Sequence, residues 1–259
     1  MGALIVSDTE KIPTSLRTLR ILEIIAGSET ALTPTEINSR LGLPKQTAHR
    51  LCARLVAEGY LAYAPGGKRL RPARRLRLLA AGLMSSSQVH IARRQILEDV
   101  ARQVGETVNF VVPEERGMSY LDRVETDWAF RVQLPIGSHV PFHCTASGKT
   151  YLASLPRERR ARIVSALRLD KLSANTITGA DRLLDELDQI AVQGHGIDNE
   201  EFVDGMVAIA VPVLDGQGRF LAALAFHGPC MRLTLDKLVQ GKPVLLEAAR
   251  RLSAVIMDD

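Results

Sequence analysis

Apolar residues recur along the first quarter of the chain at the spacing of short helices, and each stretch carries its own stop signal. Between Ser15 and Ala26, Leu16, Leu19, Leu22 and Ile25 form one stripe, with Arg17, Arg20 and Glu23 outside it. That spacing predicts a helix with one buried face. Thr33-Pro34-Thr35-Glu36 then offers an N-cap, a proline for the first helical position and the acid of a capping box, and Gly42 stops this helix near Leu41. Pro44 opens a third helix running to Leu55. Ala48, Leu51 and Leu55 are its expected inner stripe, which leaves Lys45, Gln46, His49, Arg50 and Arg54 outside. After Gly59, the segments Tyr60–Tyr63 and Lys68–Arg71 flank Pro65-Gly66-Gly67 and predict a β-hairpin.

The rest alternates between the two periods. Helix formers begin again near Ala73, and a helix is expected from Val89 to Val104 with Ile96, Val100 and Val104 inward and Arg93 and Arg94 outside. Strand-like runs follow at Thr107–Val112, Met118–Leu121 and Phe130–Leu134. Helices are predicted at Ala146–Ala153, Arg157–Leu167 and Asp181–Gln193. Strands at Met206–Leu214 and Phe220–Phe226 are separated by the turn Asp215–Gly218, and a last helix runs from about Leu235 to Val255. The predicted architecture is an all-α winged helix-turn-helix over 12–73, a linker helix over 74–87 and an α/β (α+β) layered domain over 88–259.

Composition narrows the class. At 259 residues, two domains are the natural expectation. No run reaches the roughly 18–20 apolar residues of a membrane span, and the first residues lack the basic start of a signal peptide. Cys52, Cys144 and Cys230 lie far apart, which suits a reducing compartment, so a cytoplasmic protein with no membrane partner is expected. Residues 1–87 carry a net charge of +7 and residues 88–259 a net charge of −3. A basic head on a mildly acidic body suggests a polyanionic partner for the head.

The head has the chemistry for double-stranded DNA. A short helix, a tight glycine turn and a second helix with basic and amide groups at its start are what major-groove insertion requires. Lys45 and Arg50 can contact guanine, Gln46 adenine, and Thr47 a phosphate from the helix N-terminus, while His49 and Arg54 share the same outer face. Lys68 and Arg69 on the hairpin can lie along the phosphate backbone. A solvated basic face on a small helical subdomain is the plainer alternative. The ordered run of capping box, turn, basic helix and basic hairpin favours DNA.

Leu41-Gly42-Leu43-Pro44-Lys45-Gln46-Thr47-Ala48-His49-Arg50-Leu51, with Glu58-Gly59-Tyr60-Leu61 behind it, resembles the helix-turn-helix of IclR-type regulators. Two later blocks, Pro141–Lys149 and Asp198–Phe202 with Gly205 and Ile209–Val213, resemble that family's other signatures. The resemblance implies a winged helix joined by a helix to a GAF-like effector domain, assembled as homodimers or as dimers of dimers. It also implies effector contacts at Ala146, Ser147, Asp198 and Ala208. Two departures stand out: the hairpin exits through Leu70-Arg71-Pro72-Ala73, and Ala208 stands where the family often has cysteine.

The residues themselves suggest a small organic acid as effector. Thr145-Ala146-Ser147-Gly148 opens a helix, where free N–H groups and the helix dipole favour a carboxylate. Asp198 could accept a hydrogen bond, Ala208 would line the floor, and Val132 and Val140 are candidate apolar walls. Trp128 could cover an effector or serve a dimer or core contact. Enzyme signatures fail: Ser147-Gly148-Lys149-Thr150 would need glycine at position 143 to complete a phosphate-binding loop, and His143 stands there. His139, His143 and Cys144 could meet a metal, but no fourth ligand has suitable spacing, so no cofactor is expected. The adjacent acids Glu200 and Glu201 are expected to be solvated or structural.

Overall fold

The structure, a computed structural model, describes residues 12–257 apart from 29, 85–86 and 129–134. The chain divides into two compact units, Met1–Ser86 and Ser87–Asp259.

The first unit contains α1 (Arg17–Ala26), α2 (Pro34–Leu41), α3 (Lys45–Ala57), the hairpin β1 (Leu61–Tyr63) and β2 (Leu70–Pro72), and α4 (Arg74–Met84). The capping box forms as expected. Thr33 Oγ1 accepts the Glu36 N–H at 3.2 Å, and Glu36 Oε2 accepts the Thr33 N–H at 2.7 Å. Gly42 ends α2 at φ +66°, the left-handed conformation that glycine adopts without steric cost. Asn38 then locks the turn by bonding both the carbonyl and the N–H of Leu43. Ile21, Ile25, Ile37, Cys52, Leu55, Leu61 and Leu70 close the core.

Half of the expected inner stripe of α1 faces the core: Ile25 is buried and Leu22 half-buried, while Leu16 and Leu19 are exposed and Ile21, outside the stripe, is buried. The reason is geometric. Residues three apart drift by about 60° per step around a helix, so four of them in succession wind off one face. The same correction applies to α3, where Cys52 is buried beside Ala48 and Leu55 while Leu51 is half-buried.

The second unit begins with α5 (Ser87–Val104), followed by β3 (Thr107–Pro113), β4 (Met118–Val124) and β5 (His139–Val140). Then come α6 (Ala146–Ser154), α7 (Arg157–Ala166), α8 (Ala180–Gln193), β6 (Gly196–Asn199), β7 (Met206–Leu214), β8 (Phe220–Pro229) and α9 (Leu235–Met257). The strands form an antiparallel sheet in the order β5-β4-β3-β8-β7-β6. Side chains alternate between its faces. Phe110 and Phe226 meet α5 and α9, where the Arg93 guanidinium lies over the Phe110 ring and Gly241 lets the Phe226 ring approach. The opposite face presents Val111, Ala208, Ala210, Ala223 and Ala225 to α6. Those small side chains let a helix start with Ala146, Ser147 and Gly148 sit close to the sheet.

Arg93 corrects an expectation. It is 1% exposed, and its Nε donates to Asp122 Oδ2 at 3.0 Å across α5 and β4. Helical spacing alone placed it outside because a paired arginine leaves no apolar signature. The short strands β5 and β6 were not foreseen, since β6 reads Gly-Ile-Asp-Asn and lacks a β-branched run. The strand expected at Phe130–Leu134 lies outside the described residues, as does Val132.

Candidate nucleic-acid interface and ligand site

Pro44 starts α3 without a side-chain cap, so the first helical N–H groups stay available to an anion. Lys45, Gln46, His49 and Arg50 are exposed on the first turns, and Thr47 is half-buried with its N–H bonded to the Pro44 carbonyl at 2.8 Å. Arg54 lies one turn further along, salt-bridged to Glu58 at 2.8 Å yet 76% exposed. Lys68 is exposed at the hairpin tip. A cleft of about 470 Å³, lined by Thr33, Thr35, His49, Tyr63 and Lys68, separates α3 from the hairpin.

Arg69 is placed differently from its basic neighbour. Its guanidinium grips both oxygens of Glu36, each at 3.1 Å, and donates to the Ala31 carbonyl at 2.7 Å. Hydrogen bonds from the Thr33 backbone and side chain, helped by the Arg69 charge, hold the Glu36 carboxyl below its usual range. Arg69 therefore ties the hairpin to the capping box of α2, with its fork already filled.

The candidate ligand site lies where α6 meets the last strands. Thr145 caps α6, its Oγ1 accepting the Gly148 N–H at 3.1 Å. The Ala146 and Ser147 N–H groups, being first in the helix, have no intrahelical acceptor. Position 148 must be glycine, because a Cβ there would come within 2.5 Å of the Phe142 Cα and carbonyl oxygen. Gly196 likewise admits Thr150, whose Oγ1 accepts the Gly196 N–H at 3.1 Å and donates to the Ala146 carbonyl at 2.8 Å. These contacts hold β6 against the first turns of α6.

Register then sets the floor. Asp198 in β6 faces Ala208 in β7, and Ala208 faces His227 in β8. Paired residues of antiparallel strands share a face, so Asp198 and His227 flank the small Ala208 side chain. The polar row continues: Asn109 Nδ2 lies 2.9 Å from His227 Nδ1, and Arg123 donates to Asn109 Oδ1 at 3.3 Å. All four polar side chains are buried. Val140 joins Ala146 and Ala208 in the apolar cluster beside them.

Asp198 Oδ1 accepts the N–H groups of Glu201 at 2.7 Å and Phe202 at 3.3 Å. Burial pushes its carboxyl up to about 7, against the pull of the Glu201 N–H. Burial also raises Tyr120 and Cys144, each to about 12, and the Asp198 charge adds to both. Behind them Lys149, fully buried, is ion-paired with Glu201 and Glu186. Burial raises Glu201 as well, opposed by Lys149. Glu201 thus anchors the loop whose N–H groups hold Asp198, while Glu200 bonds the Gly205 N–H.

The structure therefore brings Ala146, Ser147, Gly148, Val140, Asp198 and Ala208 together and adds five residues that spacing did not single out. Strand register places Tyr120, Asn109, Arg123 and His227 here, and Lys149 in α6 is fixed by its ion pairs with Glu201 and Glu186. Other candidates lie elsewhere. Trp128 is 54% exposed, donates to the Gly105 carbonyl and carries the Arg232 guanidinium over its ring. His139 pairs with Glu114, His143 bonds the Asp170 carbonyl, and Cys144 is a buried thiol. Among the described residues, no three His, Cys, Asp or Glu side chains converge as a metal site, and no helix is long and apolar enough to cross a membrane.

Comparison with known proteins covers both units. Residues 16–65 match the IclR helix-turn-helix domain, and residues 81–254 match the family described as bacterial transcriptional regulator IclR C-terminal. The probable transcriptional regulator SauR of Cupriavidus necator is 39% identical over 235 residues, 91% of this chain and 93% of that protein. The HTH-type transcriptional regulator KdgR of Escherichia coli is 30% identical over 254 residues, 96% and 95% of the two chains. Among solved structures, Thermotoga maritima IclR superimposes with a TM-score of 0.62 at 25% identity, covering 93% of this chain and 97% of the other.

Proposed function

The chain belongs to the IclR family of bacterial transcriptional regulators, and from that premise we propose that it is a cytoplasmic, operator-binding protein whose grip on DNA is set by a small organic acid. Its relatives are regulators of transcription, and the protein is a regulator and not an enzyme.

For DNA, the supporting observation is the exposed face Lys45, Gln46, His49 and Arg50 at the uncapped start of α3. Lys45 and Arg50 would meet base edges or phosphates, and Lys68 the backbone beside the groove. In a homodimer, or a dimer of dimers, two such helices enter successive major grooves about 10 bp apart or at a multiple of it. For the effector, the observation that carries the assignment is the pair of N–H groups at Ala146 and Ser147 that find no acceptor among the described residues, set beside Asp198 and the small Ala208. A carboxylate satisfies the helix end, and Ala208 with Val140 leaves an apolar wall for a short carbon skeleton. Effector binding acts on DNA by favouring one dimer geometry over another, since a ligand shifts an equilibrium only through differential affinity.

Arg50→Ala tests the DNA half: it should weaken operator binding in a gel-shift titration while leaving the melting-temperature rise caused by effector unchanged. Operator affinity equal to wild type would remove α3 from the interface. For the effector half, acetate, pyruvate and benzoate are suitable probes in a thermal-shift screen, because a bound ligand raises the melting temperature by mass action.

A further inference from the structure

We propose that this site takes up its organic acid together with one proton, and that Asp198 carries the proton. The inference deepens the organic-acid assignment above and rests on it.

Two carboxylates, Glu201 and Glu186, share the Lys149 ammonium, and a third, Asp198, lies beside Glu201, whose N–H it accepts. Lys149 is fully buried, and its two ion pairs are with the glutamates; none is with Asp198. An incoming carboxylate would enter beside Asp198 with only backbone N–H groups at the α6 start to offset its charge. Two carboxylates in contact within a buried site do not both stay ionised, and one takes a proton.

Asp198 is the member suited to hold it. The residue is 1% exposed. Its Oδ1 accepts two backbone N–H groups, and among the described residues no hydrogen bond falls on Oδ2. A protonated Oδ2 can donate to one oxygen of the ligand carboxylate while Ala146 and Ser147 N–H serve the other. Glu201 already faces the Lys149 ammonium, which opposes the raising effect of burial on it, and Glu186 is partly exposed to water. Tyr120 from β4 and Cys144 from the segment before α6 are both raised by burial and stay neutral donors at ordinary pH. His227, beyond Ala208 on β8, is the other titratable group on this face; Asn109 and Arg123 lie beyond it. The carboxyl of Asp198 itself is raised by burial into the neutral range, so the proton is supplied without a large cost near pH 7.

The consequence is a pH-dependent affinity of one sign. Below about pH 6 Asp198 is already protonated and affinity is flat; above about pH 7 it falls roughly tenfold per pH unit. The proton is counted by titrating the full-length protein calorimetrically with acetate, pyruvate or benzoate in two buffers of different ionisation enthalpy. Near pH 8 the account expects uptake of close to one proton per ligand, and near pH 6 almost none. Asp198→Asn keeps an acceptor for the Glu201 and Phe202 N–H groups and a donor toward the ligand, so it should bind with neither proton uptake nor pH dependence. Binding without uptake at pH 8 overturns the proposal and leaves the organic-acid assignment standing. Uptake that persists in Asp198→Asn also overturns it and assigns the proton to His227 or Glu201. If none of the acids binds, the organic-acid assignment fails and this inference falls with it.

Discussion

Replacing Lys149 with methionine probes the part of the molecule where the most charge is buried in the least space. The ammonium is fully buried, Glu201 is 7% exposed and Glu186 is 34% exposed. Methionine preserves the volume and removes the charge. Glu186 can turn toward water, so its lost pairing costs little, of the order of an exposed ion pair, about 0.2–1 kcal/mol. Glu201 cannot: its Oε2 already lacks a hydrogen-bond partner, and Oε1 would keep only a long contact of 3.5 Å from the Asn199 N–H. Stranding a buried charge in this way costs about 3–5 kcal/mol, a large share of the roughly 5–15 kcal/mol that holds a domain folded.

Urea unfolding followed by the fluorescence of Trp128, the only tryptophan and a member of the second unit, reads that loss. The deficit should be full near pH 8. It should shrink toward pH 5, because the stranded Glu201 has a raised pKa and becomes neutral as the pH falls through it. Glu201→Gln added to Lys149→Met should recover at least half of the loss. A single-variant deficit below about 1 kcal/mol, or a double variant no better than the single, would refute the claim that this pair is electrostatically stranded when broken.

Three further outcomes follow from the same geometry. Gly148→Ala forces a Cβ to within 2.5 Å of the Phe142 backbone, so it should cost about 2 kcal/mol or more in urea unfolding and weaken organic-acid binding; wild-type stability would show that α6 can back away. Arg69→Ala should leave the slope of log affinity against log salt for DNA unchanged, because its guanidinium serves Glu36 and Ala31, whereas Lys68→Ala should lower that slope by about one; equal slope changes would put Arg69 on a phosphate. For Asp198 the folded carboxyl lies above its unfolded value, so its contribution is present below about pH 4 and is lost as the pH rises to about 7. Asp198→Asn should flatten that part of the stability–pH profile, and an unchanged profile would contradict the raised value.

The parts of the fold that local rules dictate were legible in the sequence. Thr33, Glu36 and Gly42 fixed α2 because caps and glycine stops are local, and the strand Met206–Leu214 was marked by its continuous apolar run. Partners distant in the chain were not legible. Arg93 reads as a surface residue until β4 brings Asp122 to it, 29 positions away. Arg69 reads as a phosphate ligand until Glu36 claims it from 33 positions away. In the candidate site, Ala146, Ser147, Gly148 and Asp198 were visible as a helix start and a signature acid. His227, Asn109 and Arg123 were not, because only the register of β7, β8, β3 and β4 sets them in one row.

The central claim is that one chain couples an organic-acid site in the second unit to DNA binding by the first. Fluorescence anisotropy of a labelled duplex, selected in vitro by the protein itself, measures that coupling when titrated with and without a saturating acid from the thermal-shift screen. The account predicts a change in DNA affinity of about 5-fold or more, mirrored by an equal change in acid affinity when DNA is saturating. DNA affinity that stays the same while the acid is demonstrably bound would contradict it.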